Sequence, residues 1–160
     1  MHRGCHRRTG SPRLGRRKRG IQENALGRSR GGVSTKIHAL VDGLGRPLHI
    51  ALTAGQRHEA QKAEELVDHV RARVFVADGG YDSDRLRAKL KARGIKAVIN
   101  NAGNRTKKYR VEKHWYRQRY IVECFFLELK RFRGVATRYD KTARNYLSLV
   151  SLACAWLWII

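Results

Sequence analysis

The stretch Tyr116–Lys130, reading YRQRYIVECFFLELK, constrains the fold most, because its residues sort onto two sides of one helix. At 3.6 residues per turn, Tyr116, Arg119, Glu123 and Lys130 fall within a sector of roughly 60°. Ile121, Val122, Phe125, Leu129 and Phe132 fall opposite, which predicts a core face and a chemical face. On the chemical face a single carboxylate, Glu123, stands among cations and an aromatic hydroxyl. That arrangement suits a metal-bound site beside a polyanion. The competing reading is an Arg119–Glu123 salt bridge on a solvated face, worth about a few tenths of a kcal/mol.

The elements before that helix alternate. Thr35–Val41 (TKIHALV) and Pro47–Thr53 (PLHIALT) read as the two strands of a hairpin, joined by turn chemistry at Asp42-Gly43-Leu44-Gly45. Helical spacing follows over Glu59–Val70. Val74–Ala77 (VFVA) is a short apolar run typical of a buried strand, and it delivers Asp78 at its carboxyl end, before Gly79 and Gly80. Ser83 and Gly94 predict the caps of a helix over Asp84–Arg93. Asp82 and Asp84 are assigned to the turn and helix start, and Asp42 to the hairpin turn. Ala97–Ile99 is a further brief strand, and the polar, basic stretch Asn100–His114 leads into the central helix. Gly134 closes it, and Thr142 caps a last, core-packing helix over Ala143–Ile160. Strands alternating with helices predict an α/β layered sheet whose opening hairpin is antiparallel.

Across 160 residues the formal net charge is +22, which implies an anionic partner, first of all nucleic acid. A membrane surface fits poorly, since the basic residues do not flank one amphipathic helix. The fourteen-residue apolar run Leu147–Ile160 is too short to span a bilayer. Three scattered cysteines offer neither a disulfide framework nor a zinc pattern, so the cytoplasm is the expected compartment. Residues 1–30 differ from the rest. Arg, Gly, Ser and Lys dominate, no hydrophobic period appears, and the segment reads as a disordered basic arm ahead of one folded domain over residues 31–160.

Asp78 and Glu123 are the carboxylates placed for chemistry. Displacement at a phosphodiester is assisted by two Mg²⁺ ions about 3.5–4 Å apart, which take oxygen ligands. Tyr116, Arg119, Glu123 and Lys130 obey Y-x2-R-x3-E-x6-K. This is similar to the signature of bacterial insertion-sequence transposases of the DDE superfamily, in the groups of insertion sequences four and five. GRSRGGVSTKIHALVDGLGRPL (Gly27–Leu48), VADGGYDS (Val76–Ser83) and FRGVATRYDKTARNYLSLVSLA (Phe132–Ala153) also resemble that family, in its order. The resemblance covers about Gly27 to the end. It implies an RNase H-like core, a mixed sheet flanked by helices, with Asp78 as the second acid of a catalytic triad and Glu123 as the third. Both would hold Mg²⁺ (or Mn²⁺), as two ions in the complete site. Tyr116, Arg119 and Lys130 would contact DNA, at the element ends or the reacting phosphate, with target DNA as second substrate.

One departure accompanies the match. In the family the first acid lies on a strand ahead of the GRSRGG segment, whereas Met1–Gly27 contains no Asp and shows no strand pattern. The expectation is therefore a core lacking its first strand, the carboxyl-terminal part of a truncated or frame-shifted transposase. Two functions compete. One is metal-dependent DNA cleavage and strand transfer. The other is a catalytically inactive DNA-binding fragment that regulates transposition, alone, as a homo-oligomer or with full-length transposase. A generic RNA-binding protein explains the charge but leaves the Y-R-E-K spacing to coincidence.

Overall fold

The hairpin forms where the sequence predicts it, and its turn is built by one carboxylate. The computed structural model describes residues 2–9, 24–29, 32–55 and 59–159. Strands β3 (Gly32–Val41) and β4 (Pro47–Ala54) pair antiparallel. Asp42 Oδ1 accepts from the Leu44 and Arg46 amides, both at 2.9 Å, and Gly45 takes the positive φ of 86° that the turn requires.

The described residues form six strands in one sheet. β2 (Gly27–Ser29) extends the β4 edge of β3, while β1 (His2–Thr9) lies along the other edge. β1 runs antiparallel to β3, from His2↔Val41 to Thr9↔Ser34, and parallel to β5 (Val74–Ala77) at His2↔Val76. β6 (Lys96–Ile99) completes the sheet parallel to β5. The expected gap at the first strand is thus corrected: β1 occupies it, and both β1 and β2 fall within the stretch read as an arm. The reason is backbone chemistry. β3 is buried throughout Ser34–Val41 and β5 over Phe75–Ala77, so an empty place between them would strand two ladders of buried N–H and C=O groups. A ladder needs backbone, not hydrophobic alternation, and HRGCHRRT supplies it. The basic run Arg13–Gly20 lies outside the described residues.

Helices cover both faces, as the alternation of β3 demands. Ile37, Ala39 and Val41 pack under α4 (Tyr120–Arg131) and α6 (Ala143–Ile159), with the single turn α5 (Arg133–Ala136) between these helices in the chain. Leu40 joins Phe75, Ala77 and Tyr81 under α1 (Glu59–Val67) and α2 (Asp84–Ala92). α2 carries the expected cap, Ser83 Oγ accepting from Leu86 N at 3.1 Å. α1 ends at Val67, short of Val70, and Arg93, the C-cap of α2, donates to Val67 O at its end and to Val70 O beyond it.

Two helix expectations change. The central helix is interrupted: α3 (Lys113–Arg117) gives way at Gln118-Arg119 before α4 begins. Arg119 N→Tyr116 O (3.0 Å) and Val122 N→Arg119 O (3.2 Å) are three-residue bonds, a tighter turn in which residues three apart stack. The core side survives, with Val122, Phe125, Phe126 and Leu129 buried. α6 packs by one face only. Tyr146, Val150, Ala153 and Cys154 are buried, whereas Leu152, Trp156 and Ile159 face outward. Among the described residues no helix is long and apolar enough to cross a membrane.

Candidate active site

Asp78 leaves the buried end of β5 and is exposed. Its backbone is extended, and its Oδ1 accepts from Gly79 N at 2.7 Å, capping a 3₁₀ turn over Gly79–Tyr81. Tyr81 roots that turn in the core. Gly79 allows a close approach, by the chain itself. A Cβ there would stand 3.1 Å from the Asn101 carbonyl oxygen, so the segment leaving β6 lies directly against the Asp78 turn.

Glu123 sits in the first turn of α4, exposed, and pairs with Arg119. The Arg119 guanidinium also lies 5.9 Å from the Tyr116 ring, so the interrupted helix still gathers Tyr116, Arg119 and Glu123. Lys130 is half-buried two turns further on and has no ion pair or hydrogen bond from its side chain among the described residues. The salt-bridge reading is therefore correct as geometry, without excluding chemistry.

β1 brings the two carboxylates' elements into relation. β5, which delivers Asp78, pairs with one edge of β1, and α4, which bears Glu123, packs on β1. His2 is level with Val76, two residues before Asp78. The β1 sequence contains no acid. As hard oxygen donors, Asp78 and Glu123 suit a divalent cation in kind. In number they fall short, since among the described residues no three His, Cys, Asp or Glu side chains gather as a metal site.

The strongest polar cluster near Asp78 is one the sequence reading assigned to a turn. The Asp82 side chain is wholly buried. It accepts from Arg87 Nε at 2.8 Å, the Ala102 amide at 2.9 Å, and Arg105 Nε. Burial pushes the Asp82 carboxyl up, but the Ala102 amide, Arg105 and Arg87 outweigh it and hold the pKa below the ordinary aspartate value. Arg105 also reaches Asp84 at 2.7 Å, and those two carboxylates raise its own pKa. Tyr109 lies between Arg87 and Arg105, its ring 4.1 and 5.0 Å from their guanidinium carbons. Asn101 closes the loop, donating to Tyr109 O at 2.9 Å and accepting from Tyr109 N at 2.8 Å. Local spacing could not reveal this network, because Ala102 and Arg105 lie 20 and 23 residues from Asp82.

His38, without metal spacing in the sequence, is a core residue hydrogen-bonded to Tyr81 Oη and Thr53 Oγ1.

Against known proteins, the family described as "Transposase DDE domain" matches residues 5–158, a span that begins inside β1. The chain is similar to the "Putative transposase for insertion sequence element IS6501" of Brucella ovis, 38% identical over 130 residues, covering 79% of this chain and 99% of the relative. It is also similar to the "Putative transposase for insertion sequence element IS402" of Burkholderia cepacia, 31% identical over 160 residues, covering 90% and 70%.

Proposed function

The chain belongs to the transposase DDE domain family of insertion sequences, and from that premise we propose that it acts on DNA through Asp78 and Glu123 in an RNase H-like core. DNA as partner and dependence on a divalent metal come with the family. The strand order supports the core assignment: β1 is central, with antiparallel β3 and β4 to one side and parallel β5 and β6 to the other. The observation that carries the site is the convergence on β1 of β5 and α4, which bear the two acids.

Asp78 and Glu123 would hold Mg²⁺ or Mn²⁺, as a pair of ions in the complete site. Such ions neutralise charge at the reacting phosphate and lower the pKa of a water or hydroxyl nucleophile. The chain's own groups do the positioning. Arg119, already stacked near Tyr116 and paired with Glu123, offers a planar set of donors suited to a phosphate. An anion arriving there competes with Glu123 for the guanidinium and releases a carboxylate oxygen. Lys130 adds a point charge further along the same helix.

The test is cleavage of an element-end duplex with Mg²⁺ or Mn²⁺ by a family member possessing all three acids. Changing the residues equivalent to Asp78 to Asn, or Glu123 to Gln, is expected to abolish cleavage while sparing DNA retention. Normal cutting by either variant overturns the assignment.

One observation favours a second reading. β1, the neighbour of the strand that delivers Asp78, carries no acid. A chain with two acids that binds DNA without cutting it would regulate transposition by occupying ends or by pairing with full-length enzyme. Turnover above background by the purified chain would exclude it.

A further inference from the structure

The segment from Asn100 to Arg117 joins the Asp78 side of the sheet to α4 and gathers five exposed cations between Lys107 and Arg117. On and around α2 most basic side chains are paired, the Lys91 side chain being an exception among the described residues. Arg85 pairs with Glu64 at 2.9 Å, Lys89 with Asp68 at 2.7 Å, Arg87 with Asp82 at 2.8 Å, and Lys96 with Glu112 at 2.6 Å. Lys107, Lys108, Arg110, Lys113 and Arg117 are exposed, and among the described residues none forms an ion pair, although Arg110 lies in the field of Glu112, the partner of Lys96. Five exposed cations with one carboxylate, Glu112, among them repel one another, and a bound anion removes that cost.

Their placement says where the anion lies. The segment starts against Gly79, beside Asp78, and α3 packs on β5 and β6. It ends two residues before Arg119, the partner of Glu123. The loop is also held in shape by the Asp82–Arg105 pair, the Arg87–Tyr109–Arg105 stack and the Asn101–Tyr109 hydrogen bonds. A preformed cationic track loses less entropy on binding than a floppy one. The cations are strung along a loop and a helical turn, not convergent on one point, so they fit an extended polyanion.

We infer that Lys107–Arg117 is a preformed track for the sugar-phosphate backbone of the DNA duplex flanking the reacting phosphate, and that Asp82 is its positioning residue. The inference rests on Asp78 belonging to the active site. Phosphate contacts of this kind set register and orientation and read no sequence.

The experiment measures binding of the full chain to a short labelled duplex over a series of salt concentrations. Lys107→Gln/Lys108→Gln/Arg110→Gln is compared with Arg71→Gln/Arg73→Gln/Lys91→Gln, which removes the same charge from exposed positions ahead of β5 and in the last turn of α2. Each lost phosphate contact lowers the slope of log K against log salt by roughly 0.9. The track triple is expected to lower it by roughly 2.7, the control by less than one contact's worth. Equal losses overturn the proposal. Asp82→Asn supplies an opposite-sign check. It makes the chain more positive, so bulk attraction alone tightens binding, whereas release of the loop weakens it. Tighter binding by this variant overturns the positioning role, and no salt-dependent binding by the unaltered chain overturns the track. The Asp78 reading fails separately, by undiminished cleavage after its substitution.

Discussion

His38 and Tyr81 meet inside the sheet, the imidazole Nδ1 lying 3.0 Å from the tyrosine hydroxyl, while Nε2 bonds Thr53 Oγ1 at 2.7 Å. The chain of contacts ties β4 and β3 to the turn that Asp78 caps, so the hairpin holds the candidate site in place. Tyr81→Phe keeps the ring and removes this bond. It is expected to destabilise the fold by about 1–2 kcal/mol, read as a lower urea midpoint with unchanged m-value. An unchanged midpoint would mean that the bond adds nothing in solution.

Arg138 is a buried cation with carbonyl partners. It donates to Asn24 O at 2.9 Å, Asp140 O at 3.0 Å and Thr35 Oγ1, and sits 4.9 Å from the Tyr146 ring centre. Burial pulls its pKa down from the ordinary arginine value. Arg138→Met keeps much of the bulk but strips the donors, and is expected to cost on the order of 3 kcal/mol in urea unfolding. Lysine should not rescue it, because one ammonium cannot replace a planar fork.

Asp82 makes the fold acid-sensitive. Its folded-state pKa is lowered, so its contribution is complete above the unfolded value of about 3.9 and disappears as pH falls through the folded one. Urea midpoints of the unaltered chain should therefore fall as pH drops below about 4. Asp82→Asn should be less stable at neutral pH and show a flatter acid limb. Parallel curves for the two proteins would remove Asp82 from the explanation.

Cys124 is exposed, whereas burial pushes the Cys154 thiol up to about 12. In a Cys5→Ser background, one fast-reacting thiol is expected under native conditions. Cys154 should label only at the rate of opening, and denaturant should accelerate it. Rapid native labelling of both would show that α6 does not seat as described.

Arg119 and Glu123 form an exposed pair one helical turn apart. Arg119→Ala is expected to change stability by less than about 0.5 kcal/mol, measured by thermal or urea unfolding. A much larger cost would make the pair structural and weaken the case for reading Arg119 as a phosphate contact.

What could be read from residues alone was whatever depends on neighbours in the chain. The hairpin and its Asp42 turn, the Ser83 cap, the buried VFVA strand and the core side of α4 all follow from periodicity or capping, which act over a few residues. The Y-R-E-K spacing carried the family. Three features followed from the tertiary structure instead. The break at Gln118-Arg119 had no Pro or Gly to announce it. The Asp82 network joins elements that become neighbours only when β5 and β6 pair. β1 is the clearest case, because HRGCHRRT has no strand pattern of its own. By itself the sequence determined a two-faced helix, an acid at a strand end and a polycationic surface. Only the tertiary structure decided that a basic opening segment becomes the central strand, since two buried ladders on either side leave backbone hydrogen bonds that some strand must satisfy.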